Sequence, residues 1–269
     1  MTGLTSYFQE IWRRRYFWLS LVQVDLRARY RGSLFGIGWS LLHPIAMTTI
    51  LCVVFATIFH QAIADFAPLL MAGLTYWQFI TTTSIQGTQC FFTADCYIRQ
   101  HPAPMAIYPL RTMLGAAFHF AIGYLLVIAL AVLFKGVALL NVSALLSLIP
   151  SFALLAAFGW SLAILFGLAT VRFRDFKHLS EVGFQALFYL TPIMYPEEQM
   201  KSLLERRTVG WIFYLNPFVP ILQLLRSPVV AGAPPSLNIY LAAALITLLT
   251  AGLAAAAMRA EERRIIFNL

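Results

Sequence analysis

Six stretches of this 269-residue chain are each apolar and long enough to cross a lipid bilayer, and its arginines gather on one side of them. A helix needs about 20 mainly apolar residues to traverse a hydrocarbon layer roughly 30 Å thick. The expected crossings run from about Leu34 to Phe59, Phe66 to Phe91, Leu110 to Phe134, Val142 to Val171, Leu179 to Tyr195 (broken by Thr191-Pro192) and Leu237 to Met258. Hydrophobic residues make up 60% of the chain and charged ones 11%, more apolar surface than a soluble domain of this length could enclose. The expected fold is an all-α membrane protein: one bundle of six transmembrane helices, with no room for a sizeable soluble domain.

Charge sets the expected orientation. With six crossings, fourteen of the 19 Lys and Arg residues fall on the side of the N-terminus and five on the other. The basic side of a membrane protein faces the cytoplasm, so both termini are expected there. The segment Val209 to Leu225 is apolar but carries Asn216-Pro217 and Pro220, and it is short for a crossing. A seventh span would move the C-terminal basic cluster outside and weaken the asymmetry, so a re-entrant segment between spans five and six is expected. The organisation that follows is a cytoplasmic amphipathic and basic segment over 1–33, a transmembrane domain over 34–258 and a cytoplasmic tail over 259–269. Within the domain, 93–109 forms a cytoplasmic loop and 196–236 the re-entrant region on the far side. A net charge of +8 and a pI near 9.7 could point to nucleic acid, but basic residues that flank apolar spans are better explained by orientation in a membrane.

Near the N-terminus, Leu4, Tyr7, Phe8, Ile11 and Trp12 share one helical face. Such a helix is expected to lie at the headgroup level, with Trp12, Arg13, Arg14, Arg27, Arg29 and Arg31 at the membrane interface. The same pattern also suits the first turns of a longer helix packed on the bundle. The apolar run Tyr16 to Val24 has no small-residue cleavage site after it and is not expected to act as a signal peptide. In the first span His43-Pro44 predicts a kink, with His43 bonding a freed carbonyl. The second span is unusually polar: Gln78, Thr81, Thr82, Thr83, Ser84, Gln86, Thr88 and Gln89 should face the bundle interior, a partner or a wet cavity.

Little in the chain points to catalysis. Ionisable residues within the spans reduce to His43, His119 and Glu181, and HExxH, GxSxG and paired-acid arrangements are absent from the sequence. His119 reads as a hydrogen-bonded bundle residue. The three lysines fit no phosphate-binding loop, so ATP-driven work would need a motor on another polypeptide. Cys52, Cys90 and Cys96 lack metal-site spacing, and no metal site is expected.

The order of several motifs resembles the permeases of ABC-2 type exporters, in the branch that exports bacterial cell-surface polysaccharides such as O-antigen, capsule and teichoic acid. The residues that carry the likeness are Asp25-Leu26-Arg27-Ala28-Arg29-Tyr30-Arg31-Gly32-Ser33-Leu34-Phe35-Gly36, Trp39-Ser40-Leu41-Leu42-His43-Pro44 and Arg174-Asp175-Phe176-Lys177-His178. Leu190-Thr191-Pro192-Ile193-Met194-Tyr195-Pro196 and Leu215-Asn216-Pro217-Phe218 complete the series. His43 departs slightly from the family pattern, which more often has Asn or Trp before that proline.

The resemblance implies a homodimer of six-span subunits in the bacterial plasma (inner) membrane, with an N-terminal interfacial helix and outer re-entrant helices. It implies two copies of a separate ABC ATPase subunit that bind ATP and Mg, no catalytic residue or cofactor in this chain, and a lipid-linked polysaccharide as substrate. ATPase coupling falls to the short helix around Asp95, Tyr97, Arg99, Gln100 and His101. Spans one and five border the channel, which makes Phe35, Trp39, Phe184, Phe188 and Tyr195 the lining candidates, since flat aromatic faces suit sugar rings. The basic segment near Arg27 to Arg31 adds a second ATPase contact or binds anionic lipid headgroups. The runner-up is an ABC-2 drug or lipid exporter; a lipid-linked sugar transferase is the alternative from another class, and a purely structural scaffold fits the polar second span poorly.

Overall fold

A polar helix can cross a membrane only if other helices shield it, and this requirement organises the bundle. The computed structural model describes residues 4–58, 62–100, 103–136, 141–195 and 215–268. They form α1 (Leu4–Arg13), α2 (Arg15–Tyr30), α3 (Trp39–Ile58), α4 (Ile63–Thr88), α5 (Asp95–Gln100) and α6 (Ile107–Lys135). After these come α7 (Val142–Arg172), α8 (Phe176–Leu190), α9 (Phe218–Val230) and α10 (Leu237–Asn268), with 3-10 turns at Gly36–Gly38 and Phe92–Ala94. No strand occurs among the described residues.

The polar helix α4 is the axis of the fold. It touches α3, α6, α7, α8 and α9, and Leu70, Met71, Tyr76 and Ile80 on it are fully buried. Its approach to α7 depends on Gly87: a Cβ there would stand 2.8 Å from the Cα of Ala163. Small residues let helix backbones meet this closely, and dispersion then replaces the hydrophobic drive that lipid does not provide.

Among the described residues, four helical stretches are long and apolar enough to span by themselves: Gly36–Phe55, Ile107–Lys135, Val142–Arg172 and Leu237–Glu262. They match the first, third, fourth and sixth expected crossings. The second expected crossing is α4, whose 26 residues reach about 39 Å. Its glutamines and threonines, not its length, keep it from qualifying as an apolar span. The fifth expected crossing breaks at the Thr191-Pro192 step expected from the sequence. Helix α8 has 15 residues and stops at Leu190, because Thr191-Pro192 ends its hydrogen-bond ladder before Tyr195. The described part of the ambiguous apolar segment falls largely in α9, from Phe218 to Val230; residues 196–214 of the expected re-entrant region lie outside the described residues. At 13 residues α9 reaches about 20 Å, short of a crossing. It is buried against α4, α7 and α10, and the hydroxyls of Tyr76 and Tyr124 donate to its Phe218 and Leu225 carbonyls at 3.0 and 2.7 Å.

Both chain ends meet at one end of the bundle. The Tyr7 hydroxyl on α1 donates to Glu262 Oε1 on α10 at 2.8 Å, and the Met105 amide donates to the same oxygen at 3.1 Å. Burial, reinforced by the Glu262 carboxylate, raises the Tyr7 phenol above its ordinary range and keeps it a donor. The opposite end is tied by Lys135, whose Nζ lies 3.0 Å from Asp65 Oδ1 and donates to the Val230 carbonyl at 3.1 Å.

The N-terminal stripe divides between two surroundings. Ile11 is buried and Tyr7 half-buried against the bundle, whereas Phe8, Trp12 and Tyr16 are exposed, and Arg15 stacks over the Trp12 and Tyr16 rings. One side of the helix thus packs on the bundle, and the other presents its aromatic rings outward.

Candidate functional site: a polar groove along α4

Residues four apart on a helix share a face, so Gln78, Thr82 and Gln86 align along α4, with Gln89 and Thr93 continuing past its end. Gln78 Nε2 donates to Thr82 Oγ1 at 2.9 Å, one turn apart. This face borders two cavities. The inner one, about 350 Å3, lies among α3, α4, α6 and the end of α2, lined by Trp39, His43, Gln78, Thr82 and His119. The second, about 560 Å3, lies nearer the chain ends and is lined by Arg29, Gln86, Gln89, Arg111, Lys177 and Glu181. Arg29 and His119 border both.

His119 is held at that junction. Its Nδ1 lies 2.9 Å from the Tyr30 hydroxyl and 3.0 Å from Ser40 Oγ, and the two hydroxyls are 2.5 Å apart. Three elements meet there: the end of α2, the start of α3 and the first half of α6. His119 is thus a hydrogen-bonded bundle residue, as its sequence context indicated. His43 differs from expectation: it turns to the wall of the inner cavity instead of to a carbonyl freed by Pro44. Below the junction, Arg111 of α6 grips both carboxylate oxygens of Asp25 on α2. A forked guanidinium–carboxylate pair fixes direction as well as distance, so it sets the angle of α2 against the bundle.

The aromatic candidates separate by exposure. Phe35 and Trp39 are exposed and meet edge to face at 5.6 Å, with Trp39 on the cavity wall. Phe184 is only 4% exposed and packs against Trp77, Phe166 and Phe218, so it offers no face to a passing ligand in this fold. Phe188 is half-buried against Trp77 and Tyr189, and Tyr195 is half-buried. Tyr189, which sequence reading did not single out, is the exposed ring of α8.

The coupling candidates sit together on α5 at the chain-end side. Asp95 and Arg99 pair across one turn at 2.7 Å; Arg99 and Gln100 are exposed. Tyr97 is half-buried with its ring 6.4 Å from Phe17 of α2, and Ile98 is buried. His101 lies outside the described residues. Among the interface arginines, Arg13, Arg27, Arg29 and Arg31 are exposed, and Arg14 pairs with Glu10 at 3.5 Å.

Two motifs noted separately in the sequence meet in space. Asn216 Nδ2 donates to the Leu190 carbonyl at 3.2 Å and to Thr191 Oγ1 at 3.0 Å, while its Oδ1 accepts from the Phe218 amide at 3.0 Å. Arg226 of α9 donates to the Pro192 carbonyl at 2.6 Å and also to that of Ile193. Its guanidinium fills the notch left by Gly73 on α4, where a Cβ would stand 2.5 Å from Nη2. These bonds satisfy carbonyls at and just beyond the helix end, where no helical N–H reaches them. No local sequence signal announces an Asn, an Arg and a Gly converging on one broken helix end.

Comparison with known proteins gives this geometry a family. The chain is 24% identical over 198 residues to the O-antigen export system permease protein RfbA of Klebsiella pneumoniae, covering 74% of each chain. A protein of the same name from Myxococcus xanthus is 24% identical over 219 residues, 80% of each. The family model described as ABC-2 type transporter matches residues 16–230, from α2 through α9, and thus takes in the groove, the junction and the broken end of α8. The chain belongs to the ABC-2 type transporter family.

Proposed function

We propose that this chain is the membrane permease of an ATP-driven exporter that threads a lipid-linked cell-surface polysaccharide, such as O-antigen or capsule, across the bacterial plasma membrane. The observation that carries the reading is the groove: an uncharged glutamine and threonine face on the central helix, joined to an aromatic wall at Trp39. A polymer longer than the bilayer is thick cannot fit in one closed cavity, so it must slide. Sliding is served by many weak hydrogen bonds and stacking faces, and a deep charged trap inside the path would stop it. The two O-antigen export permeases support the choice of cargo.

In this reading α4 and α8 complete six crossings: α4 is shielded by its neighbours, and α8 is extended by residues 191–195. An even number of crossings agrees with the meeting of both chain ends at one end of the bundle, and the charge asymmetry assigns that end to the cytoplasm. Helix α9 enters from the outer side without crossing. Two copies of the chain face one another across the groove, with Phe35, Trp39 and Tyr189 bordering the path. Each binds one copy of a separate ATPase, which carries ATP and Mg, at the exposed face of α5.

The test is export itself. Cells lacking this chain should retain completed lipid-linked polymer on the cytoplasmic side, and the wild-type chain with its ATPase should restore surface polymer. Gln78→Leu combined with Gln86→Leu should insert and assemble yet export poorly. Normal surface polymer without this chain, or export of small amphiphiles alone by the purified complex, would overturn the assignment of the cargo.

A further inference from the structure

The charges around the larger cavity do not balance. Five Lys, Arg, Asp and Glu side chains face it: Arg29, Arg111 and Lys177, against Asp25 and Glu181. The Arg111 fork consumes Asp25, and Glu181 lies 3.4 Å from His178 Nδ1 on its own helix. Arg29 and Lys177 are left without a carboxylate partner among the described residues, although they approach the cavity from α2 and α8. These two cations, from two different helices, outnumber the remaining carboxylate of Glu181 and raise the cavity's potential for anions, and the neutral donors Gln86, Gln89 and Thr112 line it with them. The charge stops at one place. Beyond the Arg29–His119 junction the inner cavity is lined by Trp39, Gln78 and Thr82, suited to neutral hydroxylated groups.

We propose that the Arg29–Lys177 cavity seats the phosphate of an amphiphilic, phosphate-linked glycan, and that the adjoining Trp39–Gln78–Thr82 cavity takes its first sugars. The proposal rests on the polysaccharide-export reading and deepens it by giving the groove a loading end. Arg29 presents a planar fork for two phosphate oxygens, and Lys177 a mobile point charge that follows the headgroup. With Lys177 in the larger cavity and Arg29 at the junction of the two, the inner cavity carries no further Lys, Arg, Asp or Glu, so the anchored end binds while the polymer slides. The volume of about 560 Å3 is in the range of cavities that hold small-molecule ligands.

The test measures equilibrium binding of radiolabelled dodecyl phosphate to the full chain in phosphatidylcholine nanodiscs, without transport. Inorganic phosphate reports the anion alone, and dodecyl glucoside the tail with a neutral head. Arg29→Gln and Lys177→Gln should each weaken dodecyl phosphate binding about tenfold, the effect of one charge-assisted hydrogen bond. Arg29→Lys, which keeps the charge, should stay within about threefold of wild type and serves if the glutamine variant folds poorly. Arg174→Gln, in the same loop but stacked over Phe92, should bind as wild type. Binding should also weaken as salt is raised. Unchanged affinity in the Arg29→Gln/Lys177→Gln double variant would overturn the site, as would equal binding of dodecyl glucoside. Inorganic phosphate binding as tightly as dodecyl phosphate would overturn the amphiphile and leave a free-anion site. Because no polymer is moved, these outcomes are separate from failure of the export reading, which is judged by surface polymer in cells.

Discussion

Gly73→Ala isolates the clamp that joins α4, α8 and α9. A methyl group at this position would stand 2.5 Å from Arg226 Nη2 and 2.9 Å from the Ile193 carbonyl, so the guanidinium must leave the notch. Its departure removes hydrogen bonds to the Pro192 and Ile193 carbonyls. A hydrogen bond involving a charged group contributes about 1.5–3 kcal/mol. Alanine returns about 1 kcal/mol of helix propensity. The net expectation is a loss of about 2–5 kcal/mol, read by denaturant unfolding of the chain in nanodiscs. Gly252→Ala on α10 is the control, since nothing lies within 4 Å of its added Cβ; it should be neutral or slightly stabilising. Arg226→Lys should fall between, because an ammonium cannot fork two carbonyls. If Gly73→Ala unfolds like Gly252→Ala, the guanidinium does not occupy the notch and the clamp is wrong.

Three further outcomes are expected. Tyr97→Ala or Arg99→Ala on α5 should leave insertion intact while hydrolysis by the partner ATPase proceeds without export; normal export per ATP would show that α5 is not the docking element. Trp39→Ala should slow export of long chains with little change in stability, whereas Phe184→Ala should cost about 3–5 kcal/mol by opening a cavity among Trp77, Phe166 and Phe218. The reverse pattern would exchange their roles. Because the folded state holds the Tyr7 proton more tightly than the unfolded chain, its contribution is complete below the ordinary phenol range near pH 10. Wild-type stability should therefore fall more steeply than that of Tyr7→Phe as pH rises above about 10; parallel curves would mean the Tyr7–Glu262 tie is absent.

The helix count and the role of α4 illustrate what the sequence could reveal. Apolar runs mark α3, α6, α7 and α10 because a lipid-facing surface must be apolar along its whole length. The polarity of α4 is legible as an inward or wet face, since glutamines at a four-residue spacing are costly anywhere else in a membrane. The break in the fifth span is legible too: Thr191-Pro192 marks the point where α8 stops at Leu190, although the apolar run continues to Tyr195. The site was legible by composition and not by connection. Arg29 and Trp39 were singled out from local motifs, but the Asp25–Arg111 fork, the Tyr30–Ser40–His119 junction and the Gly73–Arg226 notch join residues 79 or more positions apart in part or whole. Such pairs leave no trace in hydropathy or spacing. Phe184 shows the converse: an aromatic stripe on one helix does not say which ring faces the core.

The central claim is that polymer passes along the polar face of α4. A photo-crosslinking residue placed at Gln78, Thr82 or Gln86, in the assembled exporter stalled with radiolabelled polysaccharide, tests it directly. The same probe at Leu125, an outward residue of α6 that is 66% exposed, provides the comparison. Label captured from the three groove positions and not from Leu125 is the expected result; capture at Leu125 alone, or equally at all four, would contradict it.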